Sequence, residues 1–152
     1  MARQQFLEKV LTARVYDVAR ETSLDFMERI SNRNGNKIWL KREDLQPVFS
    51  FKLRGAYNKL RHLSKEQLAA GVIAASAGNH AQGLALAAQK MGVKATIVMP
   101  KTTPRIKVDA VRGWGANVVL FGDNYDTAAG HANQLLEEQG LTYIHPFDDP
   151  DI

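Results

Sequence analysis

The fold is decided by the stretch GVIAASAGNHAQGLALAAQKMGVKATIVMP, residues 71–100. It begins with a short apolar run, GVIAAS, continues into a helical pattern over 79–91, and ends in a second apolar run, VKATIVMP. Two strands joined by a helix of this length form a crossover unit, and crossover units build parallel sheets. The stretch therefore predicts two parallel strands covered by a helix.

The same alternation continues on both sides of this stretch. Further helices are predicted at 51–62, 104–112 and 125–138, and further strands at ANVVLF and TYIHP. The apolar runs Ala95 to Met99 and Val118 to Phe121 indicate strands that are covered on both faces. We expect an α/β fold, a parallel sheet with flanking helices.

The first fifty residues follow a different pattern. Phe6, Val10 and Leu11 have helical spacing. So do Leu24, Met27 and Ile30, with Thr22 or Ser23 as the predicted N-cap and Asn34-Gly35 as the stop. A short strand is predicted in KIWLKRED. Because the pattern changes near residue 50, a domain boundary is expected there.

Composition limits the classes of function. The chain has 152 residues, 45% hydrophobic and 24% charged, as in ordinary folded domains. Its 20 basic and 16 acidic residues are scattered, so nothing points to nucleic acid. The absence of cysteine excludes disulfides and thiolate metal sites. No secretory or membrane-spanning pattern occurs, which makes the cytoplasm the expected location.

Metal binding is not predicted either. None of the four histidines has a partner at the spacing of a metal site, and the acidic residues near the end of the chain lack the glycine and distal glutamate of a calcium loop. The histidines are His62, His80, His131 and His145. We expect no metal site.

The turn SAGNHAQG after the strand GVIAAS is one candidate site. Ser76 ends the strand, Ala77 and Gly78 are small enough for the backbone to approach a ligand, and Asn79 opens the helix. Free amides at a helix N-terminus beyond a parallel strand suit a carboxylate or phosphate. The alternative is a tight structural turn capped by Ser76 or Asn79.

Lys52, in SFKLRGA at 50–56, is the second candidate. With Ser50 as N-cap, the lysine lies in the first helical turn, where the dipole disfavours a cation by about 0.3 to 1 kcal/mol. That energy is too small to keep a lysine neutral at pH 7. Burial between Phe51 and Leu53, or direct imine formation, would have to supply the rest. The alternative is a solvent-facing lysine at a helix end.

The segments KREDLQPVFSFKLRGAYNKL and ASAGNHAQGLALAA together resemble the fold-type II pyridoxal-phosphate enzymes, whose fold is that of the tryptophan synthase β chain. Within them they resemble the serine/threonine dehydratases, and most closely the biosynthetic threonine enzymes. The resemblance continues through GVKATIVMP, IKVDAVRGWGANV and YIHPFDDPDI, so it covers nearly the whole chain. It implies dehydration and deamination of L-threonine to 2-oxobutanoate and ammonia, the first step of isoleucine biosynthesis.

The resemblance also implies roles for matching residues. Lys52 would bind pyridoxal 5'-phosphate as a Schiff base and would later remove the substrate α-proton. Phe51 would lie against the cofactor ring, and Asn79 would hydrogen-bond its phenolic oxygen. The substrate carboxylate would be held by backbone amides of the turn formed by Ser76, Ala77, Gly78, Asn79 and His80.

The domain organisation implied by the resemblance is incomplete. Residues 1–50 would form an arm that packs on a large domain absent from this chain. Residues 51–147 would form a small α/β domain, and residues 148–152 would form a truncated loop that leads to the large domain. The phosphate-binding glycine loop and the group facing the pyridine nitrogen would also be absent. We therefore expect little activity from this chain alone, exposed apolar surface, and a homo-oligomer, commonly a tetramer, in complete relatives.

Two alternatives remain open on the sequence. A serine dehydratase or serine racemase of the same fold would keep the lysine and act on another amino acid. A non-catalytic α/β binding module, of the flavodoxin-like kind, would bind no covalent cofactor at Lys52.

Overall fold

The computed structural model describes residues 2–152, with side chains from residue 4 onward. The helices are α1 (Ala2–Thr12), α2 (Glu28–Asn34), α3 (Lys52–His62), α4 (Lys65–Ala70), α5 (Asn79–Met91), α6 (Arg105–Gly113) and α7 (Tyr125–Gln139). The strands are β1 (Leu24–Phe26), β2 (Trp39–Lys41), β3 (Val72–Ala75), β4 (Ala95–Met99), β5 (Asn117–Leu120) and β6 (Thr142–Tyr143). Single 3-10 turns occur at Val15–Asp17 and Glu43–Leu45.

The main sheet has the strand order β5-β4-β3-β6, and every neighbouring pair is parallel. The predicted crossover unit is confirmed, since Val72 of β3 is paired with Ala95 of β4 and α5 connects them. Chain order and spatial order differ at one place: the chain runs outward from β3 through β4 to β5, and then returns to place β6 on the other side of β3.

Helices cover the sheet on both faces. On one face, alternate strand residues such as Ala74 and Ile97 pack in a cluster with α3, α5 and α6. On the other face, Ile73, Ala75 and Val98 pack against α7. This alternation explains why β3 and most of β4 are buried on both sides, as predicted for 95–99.

The same prediction is confirmed only in part for Val118 to Phe121: Val118 packs on the first cluster and Val119 on the second, but both are only partly buried. β5 is an edge strand, and Leu120 and Phe121 are 40% and 41% exposed. A continuous apolar run cannot distinguish an edge strand from a central one, because the difference depends on which strands pair.

The predicted helix beginning at Thr22 or Ser23 is also wrong in its first part. Leu24 to Phe26 form β1, which pairs antiparallel with β2, and α2 begins only at Glu28. Thr22 is no helix cap, because its hydroxyl donates to Glu43 at 2.7 Å. The predicted stop is confirmed, since Gly35 ends α2 in the left-handed region with φ 64°.

Helix α4 was not predicted. Ser64 accepts from the amide of Gln67, whose side chain accepts from the amide of Ser64, forming a capping box. Among the described residues, no helix is both long and apolar enough to cross a lipid bilayer.

Candidate active site

The candidate residues meet where the strand order reverses. β3 and β6 are neighbours, yet β3 continues into α5 on one face of the sheet, whereas β6 is reached from α7 on the opposite face. In open parallel sheets the connections diverge at such a point and leave a crevice beyond the carboxyl ends of the strands, where ligands bind. The turn at 76–78 and the loop at 144–148 both start at this crevice.

Lys52 lies in the first turn of α3, as predicted; it is the first residue of that helix, and its side chain is partly buried. The predicted N-cap needs correction: Phe51 occupies the cap position with helical dihedral angles, while the Ser50 hydroxyl accepts from the Lys52 amide at 3.4 Å. The Lys52 ammonium donates to the carbonyl oxygen of Pro146 at 2.6 Å. The Lys52 side chain is therefore hydrogen-bonded to the loop after β6, which argues against a freely solvated lysine.

The two residues that flank Lys52 differ in solvent exposure. Leu53 is fully buried, whereas Phe51 is 59% exposed and its ring centroid lies 5.5 Å from the Lys52 Nζ. Lys52 is therefore flanked by one buried apolar side chain, Leu53, and not by two as predicted. An exposed aromatic ring beside the amine is available to a planar ligand.

A backbone contact between α3 and α5 brings the two candidate segments together. A Cβ on Gly83 would lie 2.8 Å from the Lys52 carbonyl carbon and 2.9 Å from the Leu53 nitrogen. Only glycine allows this approach. It places Lys52 over the second turn of α5, next to the helix N-terminus formed by Asn79 and His80.

The turn before α5 is partly used by the protein itself. The Ser76 amide donates to Val98 at 3.1 Å, and the Ser76 hydroxyl accepts from the Gly78 amide at 3.3 Å. The first amides of α5, beginning with Asn79 and His80, have no carbonyl of an earlier helical turn to bond. Ala77 and Gly78 are partly exposed and Asn79 is exposed, so an anion can reach these amides.

His80 is the most deeply buried polar residue of the turn Ser76 to His80, with only 3% of its surface exposed. Its Nε2 lies 3.0 Å from the carbonyl oxygen of Ile144. Burial lowers the pKa of His80 to about 4; the hydrogen bond to Ile144 opposes this effect, and the nearby Lys52 ammonium adds to it. The imidazole is therefore neutral at pH 7.

A polar network supports the loop before Lys52. The Arg54 guanidinium, in the first turn of α3, donates to Glu43 at 2.8 Å and holds the pKa of that carboxyl near 2. Gln46 is 1% exposed and pairs with both the amide and the carbonyl of Arg20, at 2.8 Å each. Phe49, in the same loop, is left-handed with φ 56°. These bonds fix the chain that leads into α3.

The fold brings the predicted Lys52 close to the predicted turn at the start of α5. Three further residues of the site were not predicted from the sequence. The carbonyls of Ile144 and Pro146 bind His80 and Lys52, and Gly83 permits the helix contact. A carbonyl carries no residue signature, so no sequence pattern reveals the first two. Gly83 could have been suspected from a glycine inside a strong helical pattern.

These groups fit an aldehyde-bearing, planar cofactor and an anionic substrate. Lys52 supplies an amine for the aldehyde, Phe51 supplies an exposed ring, and α5 supplies free amides for the carboxylate of a substrate. The buried Nδ1 of His80 has no hydrogen-bond partner among the described residues, and such unpaired buried atoms are few in native structures. Within the same part of the chain, no cluster of His, Asp or Glu could hold a metal ion. A groove of about 730 Å³ lies between α1, α3 and residues 150–152, and Lys52 does not line it.

Comparison with known proteins agrees with this arrangement. Residues 15–152 match the family model described as pyridoxal-phosphate dependent enzyme. The chain is 60% identical over 153 residues to the biosynthetic L-threonine dehydratase of Burkholderia multivorans, covering 99% of this chain and 30% of that protein. It is 58% identical to the biosynthetic chloroplastic threonine dehydratase of Arabidopsis thaliana, covering 97% of this chain and 25% of that protein.

Solved structures give the same result. Threonine deaminase isoform 2 of Solanum lycopersicum, in its processed form, matches with a TM-score of 0.92 and 57% identity over 97% of this chain and 43% of that one. Maize serine racemase matches with a TM-score of 0.89 and 31% identity, covering 97% and 44%. The chain thus spans less than a third of these curated relatives and less than half of the solved chains.

The predicted fold-type II architecture, the predicted resemblance to biosynthetic threonine dehydratases and the predicted cofactor class are confirmed by these matches. The chain belongs to the family of pyridoxal-phosphate dependent enzymes.

Proposed function

We propose that this chain supplies the cofactor-binding lysine and the substrate-carboxylate turn of a threonine dehydratase. The proposed reaction converts L-threonine to 2-oxobutanoate and ammonia and starts isoleucine biosynthesis. The observation that carries the proposal is the position of Lys52: it begins α3 at the crevice between β3 and β6, held by backbone contact over the N-terminal turns of α5. High identity to relatives named as threonine dehydratases supports the substrate.

When bound, pyridoxal phosphate supplies an electron sink for the negative charge that develops at the substrate α-carbon. Lys52 would hold the cofactor covalently, and its Nζ, once released, would accept the α-proton. Phe51 would lie against one face of the ring, and Asn79 would donate a hydrogen bond to the phenolic oxygen. The free amides at the start of α5, in the turn Ser76 to His80, would orient the substrate carboxylate.

The domain assignment belongs to the same proposal. Residues 1–50 would form an arm against a larger domain, residues 51–147 the small α/β domain, and residues 148–152 the start of the connection to the larger domain. We further propose assembly into a homo-oligomer. We also propose a cytoplasmic location, although the Arabidopsis relative is named as chloroplastic.

Serine is the competing substrate. Maize serine racemase shares the fold at 31% identity, compared with 57% for the threonine deaminase of Solanum lycopersicum. The identities favour threonine.

A spectroscopic titration tests the proposal. The purified chain is titrated with pyridoxal phosphate while the visible absorption of the imine is followed, and L-threonine or L-serine is then added. We expect saturable imine formation in the wild type, its loss in Lys52→Ala, and a larger spectral response to threonine. We also expect little 2-oxobutanoate. Equal imine formation in wild type and Lys52→Ala would refute the assignment, and an equal response to both amino acids would remove the threonine preference.

A further inference from the structure

The imidazole of His80 is buried at the site, although the proposed reaction uses only the backbone amide of this residue. His80 lies in the first turn of α5, and only 3% of its surface is exposed. Its ring connects two segments that are 64 residues apart, because Nε2 lies 3.0 Å from the Ile144 carbonyl oxygen. A buried polar side chain of this kind calls for an explanation.

The tautomer of His80 follows from its partner. A carbonyl oxygen only accepts hydrogen bonds, so the ring must carry its proton on Nε2. The neutral ring then leaves Nδ1 as an acceptor, in agreement with a buried Nδ1 that meets no donor among the described residues. A doubly protonated ring would bury a positive charge and an unpaired N–H near Lys52.

The loop that receives this hydrogen bond also holds Lys52. Ile144 is fully buried, and its amide donates to Ile73 of β3 at 2.9 Å, which ties residue 144 to the sheet. Its carbonyl belongs to the next peptide unit, whose direction this bond does not set, and that carbonyl is the one His80 contacts. Two residues later, the carbonyl of Pro146 accepts from the Lys52 ammonium at 2.6 Å. Between them, the His145 ring accepts from the amide of Asp148 at 2.8 Å and closes the loop into a turn.

The two contacts therefore act on one short segment. His80 holds residue 144 against the first turn of α5, and residue 146 holds the Lys52 amine at the first turn of α3. The two helices are fixed to each other at Gly83. If the loop lost its anchor at 144, the acceptor for the amine would move with it.

We propose that His80 is a positioning residue: its Nε2–H fixes the Ile144 carbonyl, and through the short loop from 144 to 146 it sets the place of the Pro146 carbonyl that holds the Lys52 amine. The role of His80 in catalysis rests on the proposed function, in which Lys52 binds the cofactor. The hydrogen bond involves only residues of this chain, so it can be tested independently of cofactor and substrate.

The test compares two variants that separate the ring nitrogens. His80→Gln keeps an N–H donor near the position of Nε2, whereas His80→Asn reaches only to the position of Nδ1 and cannot bond Ile144. His62→Asn, at an exposed position in α3, is the matched control. The readout is the rate of reductive methylation of Lys52 by formaldehyde and cyanoborohydride, measured by peptide mass spectrometry without pyridoxal phosphate. The exposed Lys65 and Lys90 serve as internal standards.

We expect Lys52 to react about fivefold faster in His80→Asn, the scale of one lost hydrogen bond, and near the wild-type rate in His80→Gln and His62→Asn. Lys65 and Lys90 should react at unchanged rates in every variant. An unchanged Lys52 rate in a folded His80→Asn would overturn the proposal. So would an equal acceleration in His80→Gln, because a merely space-filling role would not distinguish the two substitutions.

A second measurement on the wild type covers the case in which His80→Asn does not fold. Two-dimensional NMR of the 15N-labelled imidazoles reports which ring nitrogen carries the proton. We expect His80 to show a protonated Nε2 and an unprotonated Nδ1 at pH 7. A proton on Nδ1 would overturn the proposal. Neither result depends on cofactor binding, so failure of this inference and failure of the proposed function are distinguishable.

Discussion

At the scale of single residues, the position of Lys52 depends on the absence of a side chain at Gly83. The atoms that a Cβ would meet there are backbone atoms of Lys52 and Leu53, between 2.8 and 3.0 Å away. Backbone cannot rotate out of the way as a flexible side chain can. A substitution at residue 83 must therefore separate α3 from α5 or distort one of them.

Gly83→Ala should lower the free energy of unfolding by about 1 to 3 kcal/mol, since it overpacks a tight contact. Gly130→Ala is the matched control, because Gly130 also lies inside a helix but has open space around it. The control should be more stable than the wild type by about 0.5 to 1 kcal/mol. Urea unfolding followed by circular dichroism measures both. Equal effects of the two substitutions would show that the Gly83 contact is unimportant.

Residue types at the site were more predictable than their partners. Lys52 and the turn Ser76 to His80 could be selected from sequence because a lysine at a helix start and small residues after a strand are unusual patterns with known chemistry. The left-handed Phe49 gave no such signal, since positive φ is favoured by glycine and asparagine. The contact between His80 and Ile144 depends on the pairing of β3 with β6, which local patterns do not contain.

At the scale of elements, the loop before α3 is held by the ion pair between Glu43 and Arg54. The guanidinium lowers the pKa of Glu43 from 4.5 to about 2, with further hydrogen bonds from Thr22 and Gln46. The side chains of Glu43 and Arg54 are 16% and 23% exposed. A folded-state pKa below the ordinary value means that the pair stabilises the fold fully above about pH 4.5 and loses this effect as the pH falls toward 2.

Glu43→Gln should lower the free energy of unfolding at pH 7 by about 1 to 3 kcal/mol, because it leaves a partly buried guanidinium without its carboxylate. The difference from the wild type should shrink between pH 4.5 and pH 2, as the wild-type carboxylate becomes protonated. Urea unfolding at a series of pH values checks both expectations. Glu138→Gln, at an exposed position of α7, should change stability little at any pH. A difference at position 43 that does not vary with pH would contradict the ion-pair explanation.

Helices and parallel strands after residue 50 followed from sequence periodicity, and the errors lie where tertiary pairing decides. Leu24, Met27 and Ile30 fit helical spacing, yet Leu24 and Phe26 belong to β1, where Phe26 packs on Trp39 of β2 with ring centroids 5.0 Å apart. Only the partner strand makes the extended conformation favourable. The edge position of β5 has the same origin.

At the scale of the whole molecule, α1 presents an apolar stripe. Four residues at helical spacing are 56% to 75% exposed: Phe6, Leu7, Val10 and Leu11. Contiguous apolar surface of this kind favours association. The stripe lies on the segment that we propose as an arm against a larger domain.

Leu11→Lys should therefore reduce concentration-dependent association of the chain, because it places a charge in the stripe. Sedimentation velocity over a range of protein concentrations measures this. Ile106→Lys, on α6, is the matched control at a residue that is 79% exposed, and it should leave association unchanged. If both variants associate as the wild type does, the stripe is not the contact surface.

The central claim, that Lys52 is the cofactor-binding lysine, is tested most directly by trapping the bond. The purified chain is mixed with pyridoxal phosphate, reduced with borohydride and digested, and the labelled peptides are identified by mass spectrometry, with Lys52→Ala as control. We predict that Lys52 carries most of the label and that this label vanishes in the variant without appearing elsewhere. Label spread evenly over the exposed lysines, and unchanged in Lys52→Ala, would contradict the claim.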